Sequence, residues 1–308
     1  MGVSIKTSFS IKDLENLSGI KAHTIRIWEK RYNLLEPIRT DTNIRNYDLD
    51  NLVKILNISL LNQSGVKISK IAVLSKDQLH QTVRELVLKK NSSDYAISAF
   101  KVSMLTFDQE HFDNTFNQLL SHHSFREVFL NVILRLLEDI GHLWTIKTIV
   151  PAHENFITTL IKQKLLINIE RVKSQNLNHA KTMVLFLPMH EIHDLGLLYI
   201  HFELLLKGYK SIYLGPSVPL ENLKELQKLF TEIEYISYFT VSPSTDDIEA
   251  YVSALYKQVL VNKDEHVHLL GRKTRFIDSH SLPKNVHLHE SINSVLEKIE
   301  SFSDFIAE

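Results

Sequence analysis

The segment that decides the fold of the C-terminal part is KTMVLFLPMHEIHDLGLLYIHFELLLKGYKSIYL, residues 181–214. Its first seven residues are mostly apolar, as in a strand buried on both faces. A helix from Leu195 to Lys207 is predicted next and ends before Gly208, and Ser211 to Leu214 forms a second strand. Because parallel strands need a long crossover between them, this strand-helix-strand order predicts a parallel sheet.

The same alternation continues toward the end of the chain. It predicts helices at Leu220–Phe230, Asp247–Val259 and Ser291–Ser301, and strands at Tyr235–Val241 and His266–Leu270. The expected fold of this part is a doubly wound, Rossmann-like parallel sheet. In such sheets ligands bind outside the carboxyl ends of the strands.

The loop after the first strand carries the most unusual residues, His190 to Gly196. Zinc hydrolases place His-Glu-x-x-His on a helix, whereas the spacing here is His-Glu-x-His in a loop. Glu191-x-His193-x-x-Gly196 instead suits an imidazole whose second nitrogen is held by a carboxylate, beside a glycine that lets a large ligand approach. Such a histidine is a good axial ligand for a transition metal. A histidine satisfied at the sheet rim is the alternative interpretation.

Upstream, residues 1–75 are basic, with 11 Lys and Arg against 7 Asp and Glu, although the whole chain has 35 and 36. Ser10 is a candidate N-cap for a first helix, and Lys21 to Tyr32 forms a second. Pro37 prevents helix continuation, and the polar run Arg39 to Tyr47 suits a hairpin wing. The pattern predicts a winged helix-turn-helix whose second helix enters a major groove.

Between these parts, Lys76 to Val172 holds one Gly and one Pro, and its periodic apolar residues predict a bundle of about four helices. Trp144 lies at the end of one predicted helix, and Glu154 lies at the start of the next. These two residues are candidates to face a common cavity. The alternative is ordinary core packing.

The composition limits the chemistry and the compartment. The 308 residues include no Cys, which excludes disulfides, thiolate metal sites and a Cys nucleophile. No apolar stretch approaches 18 residues and no signal peptide is recognised, so we expect a cytoplasmic protein without a membrane partner. The expected domains are 1–75 (DNA-binding), 76–176 (helical bundle) and 177–308 (α/β).

Phe9 to about Ala72 resembles the winged helix-turn-helix of the MerR family. The matching residues are Thr24-Ile25-Arg26-x-Trp28-Glu29-x-Arg31-Tyr32 and Asn43-x-Arg45-x-Tyr47. The resemblance implies a double-stranded DNA operator as partner. The candidate DNA-binding residues are His23, Thr24, Arg26, Lys30, Arg31, Tyr32, Arg39, Asn43, Arg45 and Tyr47. The alternative is that the arginines are ordinary solvated surface charges.

Residues 177–302 resemble the cobalamin-binding domain of methionine synthases, mutases and a class of regulators. The resemblance implies that His193 displaces the cofactor's own benzimidazole and ligates cobalt from below, with Glu191 orienting it. Ser237 and Phe239 correspond to the family's Ser-x-Leu element, which lines the pocket for the nucleotide tail. Gly271-Arg272 replaces its Gly-Gly pair, so a narrower tail slot is expected.

The order of the three parts resembles the CarH/LitR class of light-dependent regulators. In that class the dark adenosylcobalamin-bound tetramer represses transcription, and light cleaves the cobalt–carbon bond and breaks the tetramer. Trp144 and Glu154 match the class signature Trp-x9-Glu-His. Its final His is Asn155 here, and the His that captures cobalt after photolysis is Thr145. The candidate cofactor-binding residues are Trp144, Glu154, Asn155, Glu191, His193, Asp194, Gly196, Ser237, Phe239 and Gly271.

These resemblances predict a DNA-binding repressor, not an enzyme, that senses adenosylcobalamin and light and assembles into a dimer or tetramer. No metal ion independent of the cofactor is expected. One alternative is a MerR-like regulator that has lost this photochemistry and is controlled by a protein antagonist. Another is a corrinoid methyl-transfer protein, against which the DNA-binding part argues.

Overall fold

A computed structural model describes residues 8–90, 93–172, 181–230, 232–260 and 265–304. The chain forms two compact units, Met1–Ile161 and Lys162–Glu308. The predicted division into three domains stays a prediction. Within the described ranges no helix is both long enough and apolar enough to cross a membrane.

The N-terminal unit begins with the predicted winged helix-turn-helix. Ser10 is the N-cap as predicted: its hydroxyl accepts from the Asp13 N–H, and the Asp13 carboxylate accepts from the Ser10 N–H. Strands β1 and β2 flank β3 in an antiparallel sheet, so the wing forms. The elements are β1 (Phe9–Ser10), α1 (Ile11–Ser18), α2 (Ala22–Tyr32), β2 (Ile38–Arg39), β3 (Arg45–Tyr47), α3 (Leu49–Gln63) and α4 (Ile68–Ile71).

The helical region follows and contains more helices than predicted. Its elements are α5 (Lys76–Lys90), α6 (Ser93–Thr106), α7 (Gln109–Leu120), α8 (Phe125–Val128), a π-helical turn (Phe129–Ile133), α9 (Leu134–Thr145) and α10 (Pro151–Val172). Within this region, five of the described helices have 12 or more residues, against about four expected. Phe112 stands between the rings of Phe100 and Phe116, with centroids 4.8 and 5.9 Å away, in the interior of this region.

The C-terminal unit contains a five-stranded parallel sheet in the order β5-β4-β6-β7-β8. Its elements are β4 (Thr182–Phe186), α11 (Leu195–Leu206), β5 (Lys210–Gly215), α12 (Leu220–Leu226), β6 (Ile233–Tyr238), α13 (Ile248–Val259), β7 (His266–Leu270), β8 (Val286–His289) and α14 (Ile292–Asp304). The predicted fold class, α plus α/β with a doubly wound sheet, is confirmed. The strand order reverses direction between β4 and β6, and this switch point is where such sheets bind ligands.

The two faces of the sheet have different cores. Val184, Phe186 and Tyr235 pack with Val252 and Leu255 of α13 on one face. Helices α11 and α14 contact each other and cover the other face. Successive residues of a strand therefore enter different surroundings.

Two sequence predictions about the sheet were wrong. Strand β8 was missed, and the strand predicted to run to Val241 ends at Tyr238. The chain leaves the sheet there because the backbone N–H groups of Thr240, Val241 and Ser242 donate to the Glu191 carboxylate instead of to a neighbouring strand.

Candidate functional site

The loops after β4 and β6 meet at the switch point through one carboxylate, that of Glu191. Its Oε2 accepts the three backbone N–H groups of residues 240–242 at 2.6–3.0 Å. Its Oε1 accepts from the backbone N–H groups of Ile192 and His193 and lies 2.6 Å from Nδ1 of the His193 ring. Glu191 is fully buried, whereas the His193 side chain is 43% exposed. The carboxylate therefore fixes an imidazole that protrudes from the rim.

The charge on Glu191 is stabilised despite its burial. Desolvation raises its pKa, but the hydrogen bonds from His193 and from the backbone N–H groups outweigh this effect and lower the pKa from 4.5 to about 2. The carboxylate is thus ionised at any physiological pH. An ionised partner at Nδ1 keeps the proton there, so Nε2 is the nitrogen suited to a metal.

The rim around His193 is apolar. Met189, Ile192, Leu214 and Val241 lie on the loops and strand ends of this edge and are exposed. Exposed apolar side chains gathered at a sheet edge are typical of a site for a large flat ligand.

Asp194, a predicted cofactor-binding residue, has a structural role here. It precedes α11, is buried, and its Oδ2 accepts from Lys162 Nζ at 2.5 Å and from the Tyr213 hydroxyl at 2.9 Å. Its charge is therefore neutralised within the unit.

Gly196 and Gly271, two further predicted residues, border a gap that the Tyr238 ring fills. A Cβ on Gly196 would lie 2.7 Å from Cε2 of Tyr238, and a Cβ on Gly271 would lie 2.8 Å from its Cδ1. Gly271 has φ +104°, which also requires glycine. Gly196 accommodates the Tyr238 ring, and Gly271 accommodates both that ring and the Phe239 backbone.

The side chains of Ser237 and Phe239 do not line this gap, although the Phe239 carbonyl oxygen would lie 2.5 Å from a Cβ on Gly271. Phe239 is buried with the α13 core, 5.7 Å from the Tyr251 ring, and Ser237 is fully buried between strands β4 and β7. The Ser237 hydroxyl has no hydrogen-bond partner among the described residues. These two residues were predicted to line the tail pocket, but strand alternation places Tyr238, and not Ser237 or Phe239, on the face toward α11.

The helical region presents Trp144 with 46% exposure at the end of α9, and Glu154 and Asn155 in the first turn of α10. Thr145 is also exposed. His153, which lies two residues before Asn155, is fully buried, and its ring stacks on Phe107 with 5.0 Å between the ring centroids. It packs in the core and does not replace the histidine that is missing at position 155.

On the winged helix-turn-helix, the predicted DNA-binding residues divide into two groups. His23, Arg26, Lys30, Arg31, Arg39 and Asn43 are exposed, and Thr24 and Tyr32 are half-buried. An open cleft between α2 and the wing is lined by four of the cations, Arg26, Lys30, Arg39 and Arg45.

Arg45 and Tyr47 are instead held by Glu29. Arg45 Nε donates to Glu29 Oε1 at 3.0 Å, and the Tyr47 hydroxyl donates to Oε2 at 2.9 Å. Tyr47 is only 1% exposed and its hydroxyl is bonded to Glu29, so the structure does not present this candidate DNA-binding residue to a duplex. Burial, followed by the hydrogen bond to Glu29, raises its pKa well above the ordinary value. The trio fastens the wing to α2.

Sequence reasoning did not single out Tyr238. A signal was present in the sequence: Tyr238 is a large aromatic residue at the end of β6, and the two glycines leave space beside it. Finding it required the face on which that residue lies, which depends on strand register. In the described parts of the chain, no three His, Asp or Glu side chains are placed to hold a metal ion.

Comparisons with known protein families match the winged helix-turn-helix and the helical region that follows it. Residues 9–78 match the family of MerR HTH family regulatory proteins, and residues 96–167 match the B12 binding domain family. The chain therefore joins a MerR helix-turn-helix to a B12-binding domain. This combination defines a DNA-binding, cobalamin-binding transcriptional regulator and not an enzyme.

The chain is homologous to two repressors of Myxococcus xanthus. It is 26% identical over 255 residues to the HTH-type transcriptional repressor CarH, which covers 80% of this chain and 84% of that protein. It is 24% identical over 222 residues to the HTH-type transcriptional repressor CarA, with 70% of each covered. The Methanosarcina barkeri monomethylamine corrinoid protein shares the fold, with TM-score 0.55, 12% identity, and coverage of 68% of this chain and 98% of that chain.

Proposed function

We propose that this chain is a cytoplasmic transcriptional repressor whose operator binding is controlled by an adenosyl-corrinoid, with adenosylcobalamin as the expected example, and by light. The observation that carries this proposal is the Glu191–His193 pair at the switch point of the sheet. The pair stands on the same chain as a winged helix-turn-helix with exposed cations. A DNA-binding protein controlled by a ligand needs a ligand site and a DNA-binding domain, and the pair and the winged helix-turn-helix supply them.

His193 and Glu191 suit a cobalt ligand. Glu191 holds Nδ1 and thereby directs Nε2 outward, and it cannot rotate without breaking backbone hydrogen bonds in two loops. The apolar rim residues Met189 and Ile192 would lie against a macrocycle. When bound, an adenosyl-corrinoid supplies a light-sensitive cobalt–carbon bond. The fit is incomplete at the nucleotide tail, because Tyr238 fills the gap between Gly196 and Gly271.

The DNA side of the proposal rests on α2 and the wing. Arg26, Lys30 and Arg31 stand exposed on α2, and Arg39 stands exposed on the wing. Self-association into a dimer or tetramer would present two winged helix-turn-helix domains to an operator whose half-sites are related by a two-fold axis. Loss of assembly would remove the avidity of two contacts and weaken binding strongly.

The test is an absorption spectrum and a size-exclusion profile after mixing with adenosylcobalamin or adenosylcobinamide in darkness and desalting, repeated after green light. We expect one of the corrinoids to be retained, with a histidine-ligated spectrum that His193→Ala abolishes. We also expect light to change the spectrum and the size. Retention without a light response contradicts the photoreceptor part alone, and loss of both corrinoids contradicts the sensor.

One group of observations favours a second candidate, a regulator controlled by a protein antagonist. Asn155 and Thr145 replace the two histidines expected in the helical region, and His153 is buried. If neither corrinoid is retained, this candidate replaces the first. This candidate is tested by purifying a complex of the chain with the antagonist and measuring whether formation of the complex releases the chain from DNA.

A further inference from the structure

The Tyr238 ring occupies the whole width of the gap between α11 and the loop after β7. Its Cε2 edge faces Gly196 and its Cδ1 edge faces Gly271, and at both positions even one added carbon would lie within 3 Å of the ring. The gap therefore holds one flat aromatic group and has no space for a second. A benzimidazole nucleotide placed between these glycines would have to replace the tyrosine ring.

The gap is closed from the β7 side by hydrogen bonds. The Phe239 N–H donates to the Leu270 carbonyl at 2.7 Å, and the Lys273 N–H donates to the Phe239 carbonyl at 3.0 Å. Arg272 Nε donates to the Thr240 carbonyl at 2.8 Å. Widening the gap on this side would break these hydrogen bonds.

The hydrogen bonds that position His193 come from Glu191 and not from the gap between the two glycines. The imidazole is positioned by Glu191, whose partners are the backbone of residues 192–193 and 240–242. None of these contacts involves the Tyr238 side chain. The contacts that orient the ligating imidazole thus differ from those that fill the gap.

We propose that the Tyr238 ring, lodged between Gly196 and Gly271, excludes the nucleotide tail, so that the preferred ligand of this chain is a corrinoid without that tail. This inference rests on the proposed function and deepens it, since it names the class of corrinoid. Tyr238 is the specificity-determining residue. A complete cobalamin binds only when the ring is driven out of its half-buried position.

The experiment compares adenosylcobalamin with adenosylcobinamide, which has the same corrin ring and adenosyl group but no nucleotide tail. Equilibrium dialysis of the full-length protein in darkness gives both dissociation constants, and absorption spectra report ligation. We expect wild type to bind adenosylcobinamide about tenfold or more tightly than adenosylcobalamin.

Variants of Tyr238 assign the preference to its ring. Tyr238→Ala and Tyr238→Ser should tighten adenosylcobalamin binding and remove the preference. Tyr238→Phe should keep it, because the ring is retained. Tyr256→Ala, on α13, is the matched control and should behave as wild type; Tyr256 lies away from the gap and is exposed.

The wild-type comparison is decisive without any variant. Equal affinity for the two corrinoids, with a spectrum that depends on His193, would overturn this inference and leave the proposed function standing. A preference for adenosylcobinamide that persists in correctly folded Tyr238→Ala would overturn the role of the ring. Failure of wild type and of both small variants to bind either corrinoid would overturn this inference and the proposed function together.

Discussion

Glu29 and Glu191 each use a carboxylate to hold two segments of the chain together by hydrogen bonds, but they differ in burial and in what they hold. Glu29 keeps a side-chain exposure of 12% and holds two side chains, Arg45 and Tyr47, that fasten a wing to a helix. Glu191 is fully buried and holds one imidazole and five backbone N–H groups. The first arrangement stabilises a surface that stays polar. The second arrangement fixes the orientation of a single side chain, that of His193, and all of its hydrogen bonds converge on Glu191.

The largest expected effect is that of Glu191→Ala. Its removal leaves buried N–H groups without an acceptor, so we expect the C-terminal unit to lose about 3–5 kcal/mol of unfolding free energy. Urea denaturation monitored by circular dichroism measures the loss. Glu221→Ala, an exposed carboxylate on α12, is the control. A loss below about 1 kcal/mol would mean that Glu191 is as dispensable as a surface residue.

The next effect is a fall in folding stability at acid pH. The pKa of Glu191 is about 2 in the folded protein, below its ordinary 4.5, so its contribution to stability is complete above pH 4.5 and is lost as the pH falls toward 2. We expect the urea midpoint of wild type to fall across this window. The fall should be shallower in Glu191→Gln. Equal slopes of urea midpoint against pH for the two proteins would contradict the lowered pKa of Glu191.

A second dependence of stability on pH is expected at higher pH from His287 and His289 of β8. Burial, then repulsion from His268, lowers the pKa of His287 from 6.5 to about 3 and that of His289 to about 4. Because the unfolded chain takes up protons first, stability is complete above pH 6.5 and declines as the pH falls toward 4. His287→Gln should flatten the urea midpoint in this window. His280→Gln, at an exposed position, should follow wild type.

The smallest effects concern DNA binding and test the other carboxylate. Arg26→Ala should weaken binding about tenfold and reduce the salt slope by about 1. Arg45→Ala should have a smaller effect, because the guanidinium is already paired with Glu29. Fluorescence anisotropy with a duplex selected by the wild-type protein, at several salt concentrations, measures both. Lys224→Ala on α12 is the control, and equal losses for Arg26 and Arg45 would contradict the pairing.

Strand β8 shows where prediction from the sequence failed. Its residues Val286, His287, Leu288 and His289 alternate apolar and polar side chains, but two histidines in four residues do not indicate a strand. In the structure they pair with β7: His266 lies 2.9 Å from His287, and His268 lies 2.9 Å from His289. The partners are 21 residues apart along the chain, so local pattern could not reveal them.

The features that could be predicted from the sequence are those specified by side chains close together along the chain. The Ser10 cap, the helix-turn-helix, the strand-helix alternation and the Glu191-x-His193 loop all follow from side chains within a few residues of one another. Tertiary structure decided the rest. It placed Tyr47 in the interior, ended β6 where its following N–H groups turn to Glu191, and put Tyr238 between Gly196 and Gly271. These outcomes depend on strand register and on contacts between distant segments, because a shift of one residue exchanges the two faces of a strand.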